Sequence, residues 1–183
     1  MRVNVGCGMW PLPGFVNLDV AESKAADVRA DCLRLPFLDG SLDEIYAGHV
    51  VEHLERGEAA AFVAECLRCL RPGGALGVVV PDTRAIMSRY VNGPALLVEF
   101  HPCAPVLMEP RWVSTDDLDD VCAGFLYSTL QDSGHKWSYD ARTLGRLLGE
   151  GGFRIEREIN RWFDPRIPVG AWYQCGLQAV KER

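Results

Sequence analysis

A chain of 183 residues, 48% hydrophobic and 24% charged, can bury one sizeable core and is short for two ordinary domains. A formal charge of −6 and a pI near 5.2, with no run of Lys or Arg, argue against nucleic acid as partner. No apolar run approaches the roughly 20 residues of a membrane helix. Met1 leads into charged and polar residues, and the seven cysteines are odd in number and irregularly spaced, so a reduced, cytoplasmic protein with no membrane partner is expected.

The first strand is expected in "VNV", Val3 to Val5, running into Gly6-Cys7-Gly8, and a second in "FVNLDV", ending at Asp19 and Val20. A strand entering Gly-x-Gly lets the backbone approach a ligand with no Cβ in the way. A carboxylate at the tip of the next strand can accept from two ribose hydroxyls. On these residues alone, the glycines equally suit a tight turn and Asp19 a strand-end turn. The link "MWPLPGF" holds two prolines and has no room for a helix whose N-terminus would bind a pyrophosphate. An adenosine without phosphate needs no such helix.

"SLDEIYAGHV" places a third strand at Glu44 to Gly48. Directly after it, "HVVEH" fits His-x-x-Glu-His, in which His49 and His53, one helical turn apart, would bind zinc with Glu52 as base. That metallopeptidase pattern needs a third ligand from a later helix, and no metal is assigned. From Glu58, the positions Phe62, Val63, Cys66, Leu67 and Leu70 share one helical face, with Pro72, Gly73 and Gly74 as the stop. Cys66 therefore belongs to the core, and "CLRC" has no second CxxC to complete a zinc site. "ALGVVV" follows as a central strand covered on both faces.

Residues 83–134 read as an excursion over the strand ends that caps the site or carries substrate. Within it, Asp116 and Asp117 after Ser114 and Thr115 suit a helix N-terminus better than a cation site. A last helix is expected from Asp140 through Leu144, Leu147 and Leu148 to Gly151 and Gly152. "RIEREI" and "CGLQAV" then read as two closing strands.

In order, "VNVGCG", "VNLDV", "ADCLRLPFLDGSLDEIYAGHVVEHL", "CLRCLRPGGALGVVVPD" and "HKWSYDARTLGRLLGEGGF" resemble a class I S-adenosylmethionine-dependent methyltransferase of the type 11 group. The ordered set is more specific than any one of its members. The resemblance implies a single domain over 1–183 with a Rossmann-like three-layer sandwich, whose mostly parallel seven-stranded sheet has an antiparallel last strand. It also implies S-adenosylmethionine as cofactor. By position, Gly6, Cys7 and Gly8 would line its methionine part, and Asp19, with Val20 beside it, would take the ribose hydroxyls. Asp31 would meet the adenine amino group, Cys32 and Leu33 the ring, and His49 the sulfonium region; on the residues alone, Asp31 before "CLRLPF" also suits a turn cap and Cys7 a small core residue.

For catalysis, Glu52 and His53 are expected to orient an acceptor and His135 to approach from the other side; a histidine is the residue type best suited to take a proton near neutral pH. Trp137 and Tyr139 suit either a substrate wall or the core. The first crossover is abbreviated, and the excursion or a second subunit, as in a homodimer, would close the site. The expected function is methyl transfer to O or N of a small-molecule or saccharide-like acceptor. The alternative from another class is a catalytically silent, cofactor-binding interaction module.

Overall fold

A computed structural model describes residues 1–92, 134–159 and 173–182. Seven strands, β1 (Arg2–Val5), β2 (Val16–Asp19), β3 (Val28–Arg29), β4 (Leu42–Gly48), β5 (Leu70–Pro81), β6 (Phe153–Glu158) and β7 (Gln174–Lys181), form one sheet in the order β3-β2-β1-β4-β5-β7-β6. The pairs from β3 to β5 are all parallel, and β7 runs antiparallel to both β5 and β6. This is the expected mostly parallel sheet with an antiparallel last strand. Three helices are described: α1 (Arg56–Cys69), α2 (Thr83–Asn92) and α3 (Ala141–Glu150). α1 and α3 pack on each other, α1 against β5 and α3 against β6 and β7. Of the expected excursion at 83–134, α2 and Gly134 are described; the rest, with the acidic "TDDLDD" run, lies outside the described residues.

α1 buries Ala59, Phe62, Val63, Cys66 and Cys69, a three-and-four spacing that keeps one stripe on the sheet. It starts at Arg56, two residues before the expected Glu58. The reason is a cap: the Glu58 carboxylate accepts from the Glu55 backbone N–H at 2.8 Å. The helix also ends earlier than Pro72-Gly73-Gly74 suggests. Leu70 is already extended, and Lys181 Nζ donates to the Leu67 and Leu70 carbonyls, both at 2.7 Å, where helical partners run out. The Pro-Gly-Gly instead lies within β5, where the register against β4 shifts between Leu42 and Glu44 and Gly73 takes φ +77. α3 begins as expected, with the Asp140 side chain accepting from Thr143 N at 2.7 Å.

The parallel pair β1–β2 is joined without a helix. The join is organised by Asn17, buried on β2. Its Oδ1 accepts from Leu12 N at 2.7 Å and from Asn4 Nδ2 at 2.9 Å. Its Nδ2 donates to the Leu12 carbonyl at 3.4 Å, the Phe15 carbonyl at 3.2 Å and Asp27 Oδ2 at 3.2 Å. Leu12, flanked by the two prolines, is buried as an apolar plug. One amide thus meets backbone groups that a crossover helix would have satisfied internally.

Candidate active site

β1, β2 and β4 all point their carboxyl ends at one cavity of about 710 Å³, within the usual range for small-molecule sites. Gly6, Gly8, Asp19, Val20, Asp31, Cys32, Leu33 and His49 line it, together with Val5, Leu18, Ala30, Val50, His53, Leu54, Glu58 and Lys136. Cys7 does not face it. That side chain is buried behind the loop, and its backbone N–H donates to the Leu18 carbonyl at 3.1 Å. Met9 and Trp10, in the short crossover, are 73% and 56% exposed and are not among the lining residues.

The glycine turn and the acidic strand end are directly joined. Gly8 N–H donates to Asp19 Oδ2 at 2.8 Å, and Ala21 N–H donates to Oδ1 at 2.9 Å, so the carboxylate is clamped while each oxygen keeps further acceptor capacity. Gly8 has φ +55, and no atom lies within 4 Å of where a Cβ would stand. Asp31 uses Oδ1 to accept from Leu33 N–H at 2.9 Å, closing a turn on the adjoining wall. Burial, with the Asp31 charge as a second cause, pushes the Cys32 thiol up to about 11, so this cysteine is neutral at physiological pH. Lys136 Nζ lies 3.4 Å from Glu58 Oε2 at the rim. The Glu55 N–H is the largest cause holding the Glu58 carboxyl below its ordinary range.

Beyond β4 the chain turns sharply. His49 has φ +58, a left-handed conformation that costs a non-glycine residue roughly 1–2 kcal/mol and so marks a place where the fold imposes position. Its Nδ1 meets Glu52 Oε1 at 2.8 Å and its Nε2 lies 3.1 Å from Gln174 Oε1. Val51–His53 form a single 3-10 turn. His49 and His53 therefore do not stand one turn apart on an α-helix, as the His-x-x-Glu-His zinc pattern requires. His53 instead stacks edge-on with His135, ring centroids 4.8 Å apart, and its Nδ1 lies 3.3 Å from the Gly134 carbonyl. Glu52 is 1% exposed, and its Oε2 is buried with no hydrogen-bond partner among the described residues. A small recess beside the main cavity is lined by Glu52, Pro81, Thr83, His135, Trp137, Ser138 and Tyr139. Tyr139 is buried and Trp137 is 43% exposed.

The three expected acceptor-side residues therefore meet. The Glu52 carbonyl accepts from Lys136 N–H at 2.8 Å and Trp137 N–H at 3.2 Å, which ties the His135 segment to the turn after β4. Sequence reasoning missed Lys136, Glu58 and Gln174. The first lies next to His135 and the second opens the α1 stripe, but Gln174 comes from a strand 125 residues away from His49 and carries no local signal.

The seven-stranded sheet, mostly parallel with β7 antiparallel, is the Rossmann-like fold of solved methyltransferase structures. Residues 13–78 match the family model described as a methyltransferase domain. A protein of Mycolicibacterium smegmatis described as a probable S-adenosylmethionine-dependent methyltransferase is 38% identical over 77 residues, 37% of this chain and 29% of that protein. An uncharacterised chloroplastic methyltransferase of Arabidopsis thaliana is 49% identical over 53 residues, 29% of this chain and 14% of its own length. The chain thus spans less than a third of these relatives. Among solved structures, a possible histamine N-methyltransferase from Thermotoga maritima superposes with a TM-score of 0.60 at 13% identity, covering 99% of this chain and 82% of its own. Magnesium protoporphyrin IX methyltransferase from Synechocystis, solved with bound S-adenosylhomocysteine, gives 0.57 at 14%, covering 100% and 74%. Residues 13–78 thus resemble a methyltransferase domain, and the fold of the chain is that of solved methyltransferase structures.

Proposed function

We propose that the chain binds S-adenosylmethionine in the 710 Å³ cavity and transfers its methyl group to O or N of a small-molecule or saccharide-like acceptor. The observation that carries the reading is the convergence of Gly6, Gly8, Asp19, Val20, Asp31, Cys32, Leu33 and His49 on one cavity. The residues fit the cofactor. Asp19 is held by two backbone N–H groups with acceptor capacity left for two ribose hydroxyls, and Gly8 leaves open space for a close backbone approach. Leu18, Leu33, Val50 and Leu54 supply apolar wall for a flat ring, with the second oxygen of Asp31 beside it for an exocyclic amine.

When bound, the cofactor supplies a methyl group on a positively charged sulfur, which an acceptor lone pair can displace in line. The chain's part is then alignment, exclusion of water and removal of the acceptor's proton. His53 sits on the cavity wall and touches His135, so an acceptor entering from the recess side meets imidazole nitrogens that can take that proton. Glu52 meets His49 through Oε1, and its backbone carbonyl, accepting from Lys136 and Trp137 N–H, ties the His135 segment to this turn.

Calorimetry with S-adenosylmethionine and S-adenosylhomocysteine tests the reading. Both are expected to bind, with affinity lowered at least tenfold in Asp19→Ala, since a charge-assisted hydrogen bond is worth roughly 1.5–3 kcal/mol. Folded protein that binds neither sinks the proposal. Release of S-adenosylhomocysteine across a panel of hydroxyl and amine acceptors separates the enzyme from a silent binding module.

A further inference from the structure

Glu52, His53 and His135 each offer one ligand atom, and these atoms all lie within 4.8 Å of one another. We propose that they form a site for a first-row divalent cation, zinc being the best match, at the junction of the main cavity and its recess. The site stands on side-chain geometry alone and does not rest on the cofactor reading. It also differs from the His-x-x-Glu-His pattern in the sequence, because His49 is left out and His135 brought in.

The second observation is the orphaned oxygen. Glu52 is almost wholly buried, His49 satisfies Oε1 at 2.8 Å, and Oε2 is buried with no partner among the described residues. A buried carboxylate oxygen left unmatched is costly, and a cation would remove that cost. The histidines suit the same role. His53 Nδ1 lies 3.3 Å from the Gly134 carbonyl, which only accepts, so the proton belongs on Nδ1 and the lone pair on Nε2. His49 is then a positioning residue that orients the ligating carboxylate. The backbone is also braced: both Lys136 and Trp137 N–H groups donate to the Glu52 carbonyl, holding the two halves of the site together.

Two imidazoles with one carboxylate select zinc, cobalt, manganese or iron over magnesium and calcium, which favour all-oxygen shells. Three protein ligands leave a position open, as in sites that bind a reacting group. Ligands 2.0–2.2 Å from a tetrahedral metal stand about 3.4 Å apart, so atoms now within 4.8 Å of one another would close by up to about 1.4 Å on binding. Because His53 also lines the main cavity, a hydroxyl filling the open position would face that cavity, and with the metal bound its coordination, in place of an imidazole base, would ease loss of its proton to solvent.

The test uses the whole chain, stripped of metal and without cofactor, titrated with Zn²⁺ against a competing chelator and, separately, with Co²⁺ followed by visible absorption. One equivalent is expected, with a Co²⁺ spectrum of nitrogen and oxygen ligation. Affinity should fall on the order of 100-fold in His53→Ala and His135→Ala and about tenfold in His49→Ala. Both His53 and His135 are partly exposed, so these variants should keep the wild-type circular dichroism; Glu52→Gln is the harsher third variant. No binding by folded wild type overturns the proposal. So does binding unchanged in both histidine variants, or a Co²⁺ thiolate charge-transfer band that assigns the metal to cysteine.

Discussion

Gly6 and Gly8 share a left-handed backbone, with φ +67 and +55, yet their missing side chains serve different ends. A Cβ on Gly6 would stand 2.4 Å from Val50 Cγ2, whereas one on Gly8 would meet nothing within 4 Å. Gly6→Ala therefore adds overpacking of about 1–3 kcal/mol to the left-handed penalty of about 1–2 kcal/mol. Gly8→Ala carries only the penalty, but its methyl group enters the space proposed for the ligand. Urea denaturation should rank Gly6→Ala as the less stable, while S-adenosylhomocysteine titration should show the larger loss per unit of stability in Gly8→Ala. Equal stability losses would refute the assignment of Gly6 to packing. At this scale the sequence was informative about positions and silent about partners. Strand ends put Asp19, Asp31 and His49 on one rim, and the sequence also allowed Cys7 as a small core residue and Asp31 as a turn cap, as found, but nothing local shows that His49 holds Glu52.

At the scale of elements, the helix-free crossover depends on one polar clamp. Asp27 Oδ2 accepts from Asn17 N at 2.8 Å as well as from its side chain, and the backbone N–H is the larger cause holding the Asp27 carboxyl below the ordinary carboxylate range. A carboxyl whose folded value is depressed contributes stability above its unfolded value, near 3.9, and loses that contribution as pH falls through the lower folded value. Asp27→Asn should therefore be less stable than wild type at pH 7, with the gap narrowing below about pH 4. Urea midpoints at pH 7, 5, 4 and 3 would show it; parallel curves would refute the clamp's ionic character. Asn17→Leu strips partners from the Leu12 N–H and the Asn4 amide and should cost about 2–4 kcal/mol by the same measurement. The crossover's shortness was plain in "MWPLPGF", but its solution was not, since an Asn inside "FVNLDV" looks like any polar interruption of a strand. The two-residue β3 was missed for a related reason: it pairs at Leu18↔Val28 and Asp19↔Arg29 only, too short to leave a periodicity.

At the scale of the whole molecule, the order β3-β2-β1-β4-β5-β7-β6 makes the cavity a junction of distant segments. Its wall takes residues from the turns after β1, β2 and β4, from 30–33, and Lys136 from before α3, while Gln174 at the start of β7 reaches back to His49. The ordered motifs made the sheet and its antiparallel last strand legible. Insertion of β7 between β5 and β6 is a long-range pairing with no local signal in the sequence. A ligand filling such a junction braces all these segments against separation, so its binding should appear as global stability. S-adenosylhomocysteine at 100 times its Kd should add about 2.7 kcal/mol. For a chain of this size that is a rise in Tm of about 5–10 °C. In Asp19→Asn the carboxylate charge is lost, but the side chain stays close in shape and can still accept from Gly8 N–H. At the same ligand concentration a tenfold or greater loss of affinity should therefore remove at least about half of the shift while the unliganded Tm changes little. A full shift retained in Asp19→Asn would remove the β2 strand end from the binding site. A shift absent from wild type would remove the cavity itself.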